Sequence, residues 1–183
     1  MGKRLKARSG RELRPLVESL LEAERVEKPP VPVERIARLL GAEVRYLPFE
    51  GELAGMLIRD EAGRGIVIGV NSLHHLNRRR FTIAHECGHL QLHKGQRAYV
   101  DRSPLRINRR DEVSSQAMNV EEIEANRFAA ELLMPYDMIV EDLMGVALDI
   151  EDEGALKELG DRYRVSIQAL TLRLRSVFDN ALF

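Results

Sequence analysis

A chain of 183 residues with 44% hydrophobic side chains can build the core of one domain, or of one domain with a small appendage. Its 28 basic and 29 acidic residues leave a net charge of −1, which argues against a general polyanion binder. The single cysteine excludes an intrachain disulfide and fits a reducing compartment, no apolar run reaches membrane-spanning length, and no hydrophobic stretch follows the basic N-terminus, so a soluble cytoplasmic protein with no membrane partner is expected.

Residues 1–9 read as a basic, disordered tail. Leu13, Leu16, Val17, Leu20 and Leu21 recur at helical spacing and predict an amphipathic helix to about Glu27. A proline-rich connector follows, then a short helix marked by Val33, Ile36, Ala37 and Leu40 and stopped by Gly41. Three short extended runs, 43–48, 54–59 and 65–70, carry the β-branched residues, with Asp60-Glu61-Ala62-Gly63 as a hairpin connection. The fold class expected is α+β, with a small mixed or antiparallel three-stranded sheet packed on helices. Which strand forms the edge is not written in the sequence. Residues 71–77 lead into the next helix, with His74 and His75 as surface residues and Asn77 as the cap ahead of Arg78, Arg79 and Arg80.

That next helix carries Phe81-Thr82-Ile83-Ala84-His85-Glu86-Cys87-Gly88-His89-Leu90-Gln91-Leu92-His93. His85 and His89 are four apart, so a helix sets both imidazoles on one face, where they can serve one cation. Glu86 sits beside the first of them as a general base for a water activated by that cation. Apolar residues fall on nearly every side, which marks a buried helix, and Gly88 leaves room for a close neighbour. The plainer alternative is a pair of core histidines bonded to carbonyl oxygens. His93 lies about 12 Å along the axis from His85, too far for all three histidines to meet one ion. It is expected to support the site from behind or to pack beside it. A catalytic zinc takes three protein ligands and leaves a position for water, so the third ligand comes from elsewhere.

Residues 94–120 are polar and poorly periodic, a loop able to wall the cleft. Tyr99, His93 and Tyr136 are candidates to stabilise an oxyanion. A second helix, 121–135, is closed by Pro135. Its face Glu122, Ala125, Asn126, Ala129 and Leu133 carries one acid, one amide and small residues, which suits close packing on a metal-bearing helix. Glu124, Arg127 and Glu131 form a charged stripe, most simply a solvated face. Glu122 is therefore the favoured ligand, with Glu124 as competitor, and Asn126 is a candidate hydrogen-bond partner of a ligand histidine.

His85-Glu-x-x-His89 followed by Glu122-x-x-x-Asn126 resembles the gluzincin arrangement. Arg80 to His89 taken with 122–135, and the upstream Pro-Pro-Val-Pro-Val-Glu-Arg-Ile-Ala at 29–37, resemble the ImmA/IrrE family of metallo-endopeptidases more closely. The resemblance covers roughly residues 12–136 and implies a zincin-like domain with bound Zn²⁺, in an intracellular enzyme that cleaves a transcriptional repressor, often in stress responses. Cys87 departs from the bulkier apolar residue usual there, but it is two positions from each histidine and should point away from the metal. The long segment between the two motifs is a second departure.

A metallopeptidase domain over 1–136 and a helical, helix-turn-helix-like subdomain over 137–183 are expected. Ser166 reads as an N-cap, and Ala169, Leu170, Leu174, Val177 and Phe178 as an apolar stripe. The acid-rich first half opposes phosphate contact, so direct nucleic-acid binding is not expected and a structural or protein-docking role is. The resulting expectation is a zinc-dependent endopeptidase with a specific intracellular protein substrate, such as a DNA-binding repressor. Two rivals are a non-catalytic DNA- or protein-binding regulator with a structural metal, and a general small-peptide metallopeptidase.

Overall fold

A computed structural model describes residues 6–59, 65–93, 98–101, 112–144 and 152–181. The first helix, α1 (Gly10–Ala23), opens on a capping box in which Ser9 and Glu12 satisfy each other's backbone amides. Its Leu13, Val17, Leu20 and Leu21 face the core. Ala7 and Arg8 are anchored through their backbone: the Arg8 amide donates to Glu124, and Arg127 donates to the carbonyls of Ala7 and Arg8. The basic tail expected over 1–9 is thus held at Ala7 and Arg8 by polar groups of a distant helix. A short α2 (Val33–Leu39) ends before Gly41, whose φ of +81° is the left-handed conformation that glycine adopts without steric cost.

The three expected strands form β1 (Ala42–Leu47), β2 (Gly55–Arg59) and β3 (Ile66–Asn71). A fourth, β4 (Ala98–Asp101), comes from the segment read as loop. The sheet is mixed, in the order β1-β3-β2-β4, with β1 parallel to β3 and β2 antiparallel to both β3 and β4. The expected 60–63 hairpin lies outside the described residues. Among the strands whose burial is described, the central β3 is the most buried, consistent with its unbroken apolar run. At its end, buried Asn71 pins the β1–β2 connection through the carbonyls of Phe49 and Leu53 and the amide of Leu73.

Helix α3 (Leu76–Leu92) packs on β2 and β3 with one face and on α4 (Glu112–Leu133) with another. It is capped by His75, whose ring accepts from the Asn77 amide, while the Asn77 side chain donates to the carbonyl of Val165. The cap is therefore two residues earlier than expected. Arg80 is buried and bonds the Val31 carbonyl, so the arginine run is only partly solvated. α4 begins well before the expected residue 121. The chain continues through α5 (Tyr136–Leu143), α6 (Glu153–Tyr163) and α7 (Ile167–Ala181), the last capped by Ser166. Leu156, Leu170, Leu174 and Val177 from α6 and α7 belong to the same core cluster as α1, α3 and α4.

Of the stripe Glu124, Arg127, Glu131, expected as a solvated face, the arginine is exposed but both acids are buried. Glu131 is 1% exposed and sits 2.8 Å from the Arg173 guanidinium and 3.8 Å from that of Arg14, tying α4 to α7 and α1. Each of these buried acids is met by an arginine remote in sequence, and that compensation makes burial tolerable.

The α3–α4 contact is backbone-close at one point. A Cβ on Gly88 would lie 3.0 Å from the Ala125 Cα and 3.2 Å from its carbonyl oxygen. Gly88→Val is therefore expected to push the helices apart at a cost on the order of 1–3 kcal/mol, read as a lower urea midpoint at unchanged slope. An unshifted midpoint would show that the contact yields freely.

Candidate metal centre

Helical geometry sets His85 and His89 one turn apart, with ring centroids 4.6 Å apart and Nε2 atoms 2.9 Å apart. Both are 1% exposed. Across the α3–α4 contact, Glu122 brings Oε2 to 3.3 Å from His85 Nε2 and Oε1 to 3.2 Å from His89 Nε2. Ligand atoms of the three residues all lie within 4.8 Å of one another, a grouping able to hold a metal ion. Of the two competing acids, Glu122 is at the imidazole pair and Glu124 is on the far side of His93.

Polar contacts behind the rings hold them in place. His85 Nδ1 lies 3.1 Å from Asn126 Oδ1, an acceptor, so Nδ1 donates and Nε2 keeps its lone pair. His89 Nδ1 lies 3.1 Å from His93 Nδ1, and His93 Nε2 lies 3.1 Å from Glu124 Oε2. Both bridging nitrogens of His85 and His89 therefore turn toward the Glu122 carboxylate. Burial alone would raise the Glu122 carboxyl, but the two histidine rings beside it outweigh that and lower it. Burial lowers the His89 pKa, against the raising effect of Glu122, which favours the neutral ring that a cation needs.

Glu86 is fully buried on α3, and its carboxylate lies beside the first residue of β2: a Cβ on Gly55 would be 3.6 Å from Oε1 and would collide with Thr82. Only glycine at that strand position allows β2 to lie so close to the catalytic-motif helix. Cys87 points into the core, where burial raises its thiol pKa. Phe81 stacks on His85 at 6.3 Å. Phe81 and Asn126 also line a 480 Å³ cavity between α4 and α7 that includes Ala130, Met134 and Leu172 and none of the three grouped residues.

Some residues singled out in the sequence are elsewhere. Tyr136 packs under the Arg14 guanidinium at 3.4 Å, beyond the far end of α4 and about 17 Å along its axis from Glu122. His93 is occupied by His89 and Glu124, so it supports the site rather than facing an oxyanion. Tyr99 lies on β4 opposite Leu57, and its side chain is outside the described residues. His74 and His75 stand at the start of α3, apart from the grouping.

Three contributors escaped the sequence. Arg59 donates to the carbonyls of His89, Leu90 and His93, closing the C-terminal end of α3. Glu124 buttresses His93, and Arg8 buttresses Glu124. The one available signal was His93 four residues after His89, which on a helix predicts contact between their rings. Nothing local named the partners of His93.

A model of the IrrE N-terminal-like domain, peptidase M78, matches residues 37–175, a span that contains α3 and α4 whole. No curated protein matches the chain. Among solved structures, a Mycobacterium tuberculosis transcriptional regulator is similar in fold, with a TM-score of 0.56 and 17% identity over 87% of this chain and 45% of that one. This chain thus spans less than half of the regulator's length. With the paired histidines, the following acid and the matched span in agreement, the chain belongs to the IrrE N-terminal-like, or ImmA/IrrE, peptidase family.

Proposed function

We propose that this chain is a zinc-dependent endopeptidase acting on a specific intracellular protein, and that the substrate is a DNA-binding transcriptional repressor. The carrying observation is the convergence of His85 Nε2, His89 Nε2 and the Glu122 carboxylate on one point. Ligand atoms about 2.0–2.1 Å from a tetrahedral zinc stand about 3.3 Å from one another, and the separations here run from 2.9 to 3.3 Å. Two neutral imidazoles and one carboxylate are the donor set of a catalytic zinc, with a coordination position left for water. A structural zinc would use a fourth protein ligand, and the grouping among the described residues has three. That favours the enzyme over the non-catalytic regulator.

A zinc held by His85, His89 and Glu122 would supply Lewis acidity, to lower the pKa of a water and to polarise the scissile carbonyl. The chain's own residues do the rest. Asn126 and His93 keep the two Nε2 lone pairs aimed at the site. Glu122 neutralises half of the incoming charge. Glu86, next to His85 on the same turn, accepts the water's proton and passes it to the leaving amine. It is buried, with its carboxylate against Gly55 of β2. Of the two edge strands among those described, β4 is nearer Glu86, because it pairs with β2 at Gly55 itself. An extended peptide added to that edge would run beside the catalytic carboxylate. The repressor as substrate draws its support from the family and from the fold shared with a transcriptional regulator.

Glu86→Gln is expected to retain metal while peptide hydrolysis falls about 10²–10⁴-fold. His89→Ala and Glu122→Ala are expected to lose both, measured by metal content and turnover on the same preparations. Normal zinc binding by Glu122→Ala would refute the ligand set. Asn126→Ala, which frees the His85 ring, is expected to weaken zinc about 10–100-fold in chelator competition; unchanged affinity would remove Asn126 from the site.

Substrate class is tested by labelling new protein N-termini in lysate with the zinc-loaded chain against Glu86→Gln. One or a few DNA-binding proteins cut at single sites is the expected result. Indiscriminate cleavage, together with casein digestion, would establish the small-peptide enzyme instead.

A further inference from the structure

The edge of the sheet away from β4 is open, and its backbone and its charges are self-complementary. Among the described strands, β1 is hydrogen-bonded on one side only, to β3. The Ser72 amide donates to the Leu47 carbonyl, so Leu47 turns its backbone toward β3. Strand residues alternate in this respect, so Glu43 and Arg45 turn the same way. Ala42, Val44 and Tyr46 aim their amides and carbonyls at the open side, and no turn, loop or cap bond reaches those groups among the described residues. β1 carries no proline or lysine, and its register with β3 is unbroken by a bulge, so the usual protections of a free edge are missing.

Antiparallel pairing of β1 with a second β1, about a two-fold axis at Val44, uses all of these groups. Val44 then exchanges both backbone bonds with the Val44 of the copy, and Ala42 does so with the copy's Tyr46. The same register sets Glu43 directly opposite the copy's Arg45, at the non-bonded positions where side chains come closest. The two side chains are 62% and 56% exposed and already form an ion pair within one chain at 2.9 Å, so pairing closes them into an alternating ring of charge. Moving the axis one residue either way places Glu43 against Glu43 or Arg45 against Arg45, and leaves one outward-facing residue beyond the end of the other strand. In the register at Val44, Leu47, 47% exposed, falls opposite the copy's Gly41, where an added Cβ would meet nothing within 4 Å. The leucine thus has bare backbone to cover. On the other face Tyr46, steadied by its hydroxyl on Glu34, falls opposite the copy's Ala42.

We propose that β1 is a homodimer interface: two copies of this chain join their sheets edge to edge, antiparallel about Val44, with Glu43 and Arg45 selecting the register. The backbone bonds supply the attraction. Exposed ion pairs are individually weak, and the part of these two is to penalise the other registers. The joined sheet runs β4-β2-β3-β1-β1-β3-β2-β4, which leaves both β4 edges open at its outer ends. The interface contains no residue of the metal centre, so it is independent of the enzymatic reading.

Sedimentation velocity of the full chain over a range of concentrations, with and without added zinc, reads the association. Wild type is expected to pass from monomer to dimer as concentration rises, in both conditions. Val44→Pro removes an amide that points away from β3, a position proline tolerates, and is expected to abolish the dimer. Glu43→Arg and Arg45→Glu each set like charges opposite one another and are expected to weaken association about tenfold. The double variant Glu43→Arg/Arg45→Glu restores opposite charges and is expected to recover wild-type association. Circular dichroism checks that each variant folds, and the charge series decides the matter if Val44→Pro does not. A wild-type chain that stays monomeric at every concentration, a dimer untouched by Val44→Pro, or a double variant that associates no better than the single ones overturns the proposal.

Discussion

At Gly88 two helix backbones touch, and the metal centre exists because they do. α3 supplies two imidazoles from one turn, but no residue of α3 can complete the set, because the next histidine on that face is too far along the axis. Completion requires a second helix close enough for a glutamate side chain to span the gap. A side chain at 88 would stand 3.0 Å from the Ala125 Cα. Glycine at 88 and alanine at 125 remove that bulk, and Glu122, one turn before Ala125, then falls on the two Nε2 atoms. Gly55 does the same on the opposite side, bringing β2 against Glu86. The site is a consequence of missing side chains as much as of present ones.

Burying it has an electrostatic cost, and the chain meets that cost from a distance. Glu124 and Glu131 are both nearly inaccessible, and each is engaged by arginines from the N-terminal part of the chain or from α7. An unpaired buried carboxylate would neutralise itself by taking a proton. Paired, it stays charged and directs hydrogen bonds. Glu131 uses that charge to join three helices. Glu124 uses it to orient His93, and through it His89. Acids on the same helical stripe thus divide into one that fastens the fold and one that serves the centre.

The catalytic reading follows from what the grouping has and, among the described residues, from what it lacks. Three converging donors leave a place for water, and an acid stands beside them on the same helix with an edge strand close by. Family membership and geometry agree on a peptidase domain. Substrate identity belongs to a different level: under the proposed reading it would depend on the surfaces around the β4 edge and on the partner that meets them, not on the ligand set.

The sequence by itself determined the periodic and the covalent. Four-residue spacing of His85 and His89, the small-residue face of Glu122, Ala125 and Asn126, and the apolar runs of the strands are local patterns. Each has a single structural meaning once helix or strand is assumed. Helical phase even chose Glu122 over Glu124, because two residues of separation turn side chains about 200° apart around the axis. The same argument failed for Glu124 and Glu131, where charge was taken as a sign of solvent. Burial of a charge is decided by its partner, and Arg8, Arg14 and Arg173 are brought to α4 only by the packing of α1 and α7. β4 and the Arg59 closure of α3 were hidden for the same reason. They are pairings between distant segments, whose energy appears only after the chain has closed on itself.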